Sequence, residues 1–110
     1  MLKMDLEYER GIIFVRLKGV LNKKCVYKIN NYICPVIKKH KIKYLIYNLE
    51  NLKEIDEIGI DSILATKCLI KNNKGKIYLC NVNNYLNPKL KRLHIKITSS
   101  ETTALKLIEV

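Results

Sequence analysis

Apolar positions along the chain follow two rhythms, one typical of strands and one typical of helices. Residues 11–19 (GIIFVRLKG) are rich in β-branched and aromatic side chains between two glycines, which predicts a strand. Residues 4–8 alternate and are predicted to pair with it as a hairpin, with Glu9-Arg10-Gly11 as the turn. From 23 to 39 the period lengthens. Val26, Ile29, Ile33, Val36 and Ile37 recur at steps of three and four, the stripe of a helix, and Pro35 predicts a break near Tyr32. Residues 43–49 form a near-continuous apolar run, as in a strand covered on both faces. A second helix follows, with Ile60, Ile63, Leu64, Cys68 and Ile70 or Lys71 along one side, and stops around Asn72-Asn73-Lys74-Gly75. Residues 76–82 read as another buried strand, 86–93 as a short helix with Pro88 near its start, and 95–97 as a short strand. Ser99 and Ser100 offer caps to a last helix carrying Ala104, Leu105 and Ile108. The order β-β-α-β-α-β-α-β-α predicts an α/β fold: a mixed, mostly parallel sheet with four helices.

Length and composition agree with one domain over residues 1–110. The 48% apolar share supports a real core and lies far from the disordered regime. No apolar run reaches the ~20 residues of a membrane-spanning helix, and the first residues lack the apolar stretch of a secretory signal. A cytoplasmic protein without membrane attachment is expected. The net charge of +11 invites a nucleic-acid reading, but the excess is 18 Lys against only 3 Arg, alongside 16 Ile and 11 Asn. Those are residues of AT-rich codons, and Arg, the better reader of phosphates and bases, is scarce. The densest basic run, Lys38-Lys39-His40-Lys41-Lys43, suits a helix end, where cations meet the negative pole of the dipole. Nucleic-acid binding is therefore disfavoured.

Candidate chemistry is sparse. No phosphate-binding glycine motif occurs, so no nucleotide cofactor is expected. Cys25, Cys34, Cys68 and Cys80 lack the local pairing of zinc ligands, and each reads as a small buried hydrophobe; no metal is expected. His40 and His94 have no local Ser or Cys partner and read as surface or loop-edge residues. Glu50, Glu54, Asp56, Glu57 and Asp61 straddle a loop-to-helix junction, where acids favour a helix N-terminus. No catalytic residue is assigned, and enzymatic activity is not expected.

With this order in hand, residues 45–60 (LIYNLENLKEIDEIGI) resemble the signature of STAS domains, the bacterial anti-sigma factor antagonists and their relatives. In that family a strand ends in Asp-Leu and a short loop leads to Asp-Ser-Ser-Gly-Leu, where a helix begins. Gly19-Val20-Leu21-Asn22 resembles an earlier Gly-x-Leu-Asp element, and residues 74–82 and 95–105 resemble the later strand and the terminal strand and helix. The likeness spans about residues 6–108.

The resemblance implies a protein-binding module. Its partner would be an anti-sigma factor that is also a serine kinase, and binding would free a sigma factor. It implies a partner surface over Asn22, Asp56, Glu57, Ile58, Gly59 and Ser62, and a monomer or weak dimer. In the family, the second Ser of the motif is phosphorylated by the partner. Here the two Ser positions carry Glu57 and Ile58, and the earlier Asp is Asn22. Ile58 has no hydroxyl, so no phosphoacceptor is expected there. Ser62, the next hydroxyl and the remaining candidate phosphoacceptor, is not an obvious substitute: it lies about 200° from Ile60 on the helix wheel and reads as solvent-facing. Two mechanisms follow. Either the domain docks constitutively, with Ile58 a hydrophobic contact unless it turns into the core, or Glu57 imitates the phosphorylated state. A carboxylate carries about half the charge of a phosphate, which favours docking. The alternative role is a scaffold subunit of a signalling or transporter-associated complex.

Overall fold

A computed structural model describes residues 1–109. The elements are β1 (Leu2–Glu9), β2 (Ile12–Leu21), α1 (Tyr27–Tyr32), α2 (Cys34–His40), β3 (Tyr44–Ile55), α3 (Glu57–Asn72), β4 (Lys76–Cys80), α4 (Asn87–Leu90), β5 (Lys96–Thr98) and α5 (Glu101–Glu109). A single 3-10 turn, Lys91–Leu93, continues α4. The first predicted helix is the pair α1 and α2, broken at Ile33 just before Pro35. Lys38, Lys39 and His40 close α2, and Lys41 caps it in the left-handed region.

The five strands lie in sequence order, β1 antiparallel to β2 and the others parallel. A parallel sheet that steps one way through right-handed crossovers carries its crossover helices on one face. The main core lies there: Ile13, Val15, Leu17, Leu45, Tyr47, Leu49, Ile77 and Leu79 point toward Ile29, Ile33, Ile37, Ile60, Ile63 and Leu90. The alternate residues Ile12, Phe14, Ile46, Tyr78 and Cys80 form a smaller core with Ala104 of α5. Thus β3 and β4 are apolar on both faces, as their continuous patterning requires.

Two strands run longer than the pattern predicts. Gly19 does not end β2; it sits inside it at φ +103, beside register shifts against β3. A Cβ there would lie 2.1 Å from the Met1 carbonyl oxygen, so only glycine permits the irregular course. Nor does β3 end at Leu49. It pairs with β2 as far as Leu21–Ile55, whereas its pairing with β4 stops at Asn48–Cys80. A two-stranded ribbon therefore projects beyond β4 and carries the chain segments of the candidate site at its tip. Glu50 and Glu54 lie on this ribbon, not in a loop.

On the α5 face, Arg16 grips Glu101 bidentately at 2.8 and 2.9 Å and also meets Asp5 and Glu7 at 2.9 and 3.0 Å. The Asn48 amide adds a 2.7 Å bond to Glu101. The Arg16 guanidinium, and then the Asn48 amide, hold the Glu101 carboxyl below its ordinary range despite partial burial. A depressed carboxyl contributes stability that is complete above the ordinary glutamate range and is lost as pH falls through the folded value. Glu101→Gln is expected to lower the urea midpoint at neutral pH by the equivalent of about 1 kcal/mol. The deficit relative to wild type should shrink progressively on acidification, read from urea melts across the acid range.

Candidate functional site

The tip of the β2–β3 ribbon and the start of α3 form one knot, and Asp56 ties it. Its backbone is extended, and its Oδ1 accepts the Gly59 N–H at 2.7 Å, an N-cap bond. The other carboxylate oxygen accepts the Lys23 N–H at 3.0 Å. Its backbone N–H donates to Leu21 O at 3.2 Å. One side chain thus fixes both the helix and the loop after β2. Within that loop the Asn22 Oδ1 accepts the Lys24 N–H at 3.0 Å, and the Cys25 thiol donates to Val20 O at 3.1 Å. Asn22, half-buried, is consequently held beside the α3 N-terminus.

Gly59 lets the helix come close. It is buried, and a Cβ on it would lie 2.5 Å from Leu21 O and 2.8 Å from Ile55 Cγ1. The role is close approach, not a special φ. Glu57 is exposed at the first helical position, where the dipole favours an acid, and forms an ion pair with Arg92 across a groove bordered by Ile55, Ile60, Pro88 and Lys89. Ile58 points outward and is 45% exposed; it does not turn into the core.

Ser62 departs from expectation: it is 6% exposed, and its Oγ donates to Gly59 O at 2.6 Å. The buried stripe of α3 is Gly59, Ile60, Ser62, Ile63, Thr66 and Ile70, while Leu64 and Cys68 face solvent. The stripe is rotated because small and hydroxyl-bearing residues lie against the sheet. Thr66 gives its proton to Ile63 O at 2.7 Å and therefore accepts the Tyr47 O–H at 2.8 Å. Of the cysteines, Cys25 and Cys80 are buried as expected, Cys34 is half-buried and Cys68 is exposed. Burial pushes the Cys80 thiol up to about 12, so it remains protonated at neutral pH.

The structure brings Asn22, Asp56, Glu57, Ile58 and Gly59 together at one corner, with Ser62 beneath it. Sequence reasoning missed Arg92, which arrives from the turn after α4; nothing but its charge distinguishes it in the chain. Among the described residues, no group of three or more His, Cys, Asp or Glu side chains is placed to hold a metal ion, and no helix is long and apolar enough to cross a membrane.

Comparison with known proteins matches residues 3–104 to the STAS domain. The chain belongs to the STAS domain family. This STAS domain is 28% identical over 82 residues to the anti-sigma F factor antagonist of Paenibacillus polymyxa, covering 74% of this chain and 70% of that protein. Its fold matches the anti-sigma factor antagonist SpoIIAA in its unphosphorylated form, with a TM-score of 0.83 and 22% identity over 97% of this chain and 98% of the other. The phosphorylated form of the Bacillus cell fate determinant SpoIIAA matches with a TM-score of 0.81, again at 22% identity, over 96% and 99%.

The geometry makes the corner structural as well as exposed. Asp56→Ala is expected to cost about 1–2 kcal/mol through loss of the cap and the Lys23 bond. Gly59→Ala should cost roughly 1–3 kcal/mol through overpacking against Leu21. Both are read from denaturant midpoints, and Glu57→Ala, at an exposed position, should shift the midpoint much less.

Proposed function

We propose that this STAS domain is a non-enzymatic, cytoplasmic antagonist of an anti-sigma factor. It docks on an anti-sigma factor of the serine kinase type, so freeing a sigma factor, and it does so without a covalent switch at the α3 corner. The likeness to named anti-sigma factor antagonists supports the general role. The observation that carries the particular mechanism is Ile58. A β-branched apolar side chain stands in solvent on the first turn of a rigidly capped helix, where the family resemblance expects a phosphorylated serine.

Ser62 offers no substitute, because its hydroxyl is buried and committed to Gly59 O. Glu57 is a poor imitation of a phosphate: its single charge is paired with Arg92. Ile58 therefore acts as a docking contact at the corner that also holds the Asn22 loop and the Glu57–Arg92 pair.

The test uses the anti-sigma kinase encoded in the same genome. Ile58→Asp should weaken its binding at least tenfold in a titration calorimeter while leaving the denaturant midpoint within about 0.5 kcal/mol, since the position is exposed. Incubation with the kinase and ATP should leave the wild-type mass unchanged, whereas Ile58→Ser should gain one phosphoryl group. Phosphate on the wild-type chain, or undiminished binding by Ile58→Asp, would refute this mechanism.

A further inference from the structure

The β1 edge of the sheet carries an inference independent of the α3 corner. Among the described residues β1 pairs only with β2, through eight consecutive residues without a bulge, and it contains no proline. Unprotected edges of this kind invite another strand. The two-residue turn at Arg10 and Gly11, both at positive φ, closes Glu9 onto Ile12 as a hydrogen-bonded pair. Alternation then directs the backbone groups of residues 3, 5, 7 and 9 toward β2, and those of Leu2, Met4, Leu6 and Tyr8 toward the open edge. The Leu2 carbonyl is occupied by Lys28 Nζ at 2.5 Å. Met4, Leu6 and Tyr8 remain, a set symmetric about Leu6.

We propose that this edge binds a second copy of the same chain, β1 against β1 in antiparallel register centred on Leu6, joining two sheets into one of ten strands. Side chains fit that register on both faces. On the helix side, Leu6 meets its own counterpart and Met4 of each copy meets Tyr8 of the other; Leu6 is 41% and Tyr8 60% exposed in the single chain. Tyr32 of α1 extends this apolar surface across a groove of about 400 Å³ lined by Met4, Leu6, Lys28 and Tyr32. On the opposite face, Lys3 of each copy faces Glu9 of the other. Asp5 faces Glu7, a like-charge pair already moderated by Arg16, which binds both in each copy.

Two neighbouring registers fit less well. Centring on Asp5 would require the occupied Leu2 carbonyl. Centring on Glu7 would set Glu7 against itself and Asp5 against Glu9 twice.

Light scattering over a range of protein concentrations should show a mass approaching twice that of the chain. Leu6→Lys should restore the monomer mass with an unchanged circular dichroism spectrum. Register is tested by oxidation in a Cys68→Ser background. Leu6→Cys should give a covalent dimer, because directly opposed Cα atoms lie about 5.5 Å apart. Tyr8→Cys alone should not, since its two copies stand roughly 13 Å apart along the strands. A wild-type monomer at all concentrations, or a dimer that survives Leu6→Lys, would overturn the proposal. So would cross-linking through Tyr8→Cys but not Leu6→Cys.

Discussion

The candidate site depends on the close approach of the α3 N-terminus to the end of β2. Gly59 stands where a methyl group would meet Leu21 O at 2.5 Å, and Asp56 binds both the helix, through the Gly59 N–H, and the loop, through the Lys23 N–H. Neither contact alone would fix the corner. A cap without the glycine would hold the helix at a distance from β2, and a glycine without the cap would leave the approach to packing alone. Together they present Glu57 and Ile58 on a rigid frame. A rigid frame limits the entropy lost on binding, which favours an exposed apolar residue as a contact.

Sheet order explains how the remaining surfaces come about. Because the parallel strands step in one direction, α1 to α4 share one face and, among the described residues, α5 alone covers the other. That helix covers the middle of the sheet with Ala104, while Arg16, Asn48 and Glu101 close the polar remainder with charge-assisted bonds. The same order places β1 outermost with no helix beyond it. Its open edge is thus a consequence of topology, and what protects or exploits that edge has to come from its own side chains.

Much of this was legible in the chain, and each failure has a physical reason. Strands β3 and β4 announced themselves because burial on two faces needs a continuous apolar run, and Pro35 announced the break at Ile33 because it disturbs the turn before it. The helix stripe was misread where hydrophobicity and burial part company. Leu64 and Cys68 are the apolar residues, yet Ser62 and Thr66 are the buried ones. Small residues permit close helix–sheet contact, and their hydroxyls are satisfied by carbonyls one turn back and, for Thr66, by Tyr47. The extension of β3 to Ile55 was hidden for another reason: beyond Leu49 this strand buries only Leu52 and Ile55, so its polar residues read as a loop. The resemblance drew attention to Asp56 and Gly59, which the structure joins through the cap bond; Arg92, which meets Glu57 from a distant turn, had no local pattern to mark it.

Stability offers no reason for isoleucine at position 58. The first turn of a helix favours acids and hydroxyl-bearing residues, which answer the dipole and the free N–H groups, and Ile is neither. Its side chain remains nearly half in water. Glu57, its neighbour, is the kind of residue folding would select there, and it also meets Arg92. On the proposed reading, an exposed β-branched residue between such an acid and a buried glycine serves contact with another molecule and not the fold. The same reasoning separates Ile58 from Leu64, which is also exposed but lies on an ordinary helical turn without a fixed loop beside it. Position 58 combines exposure, apolar character and a frame held by hydrogen bonds, and that combination is what a binding contact requires.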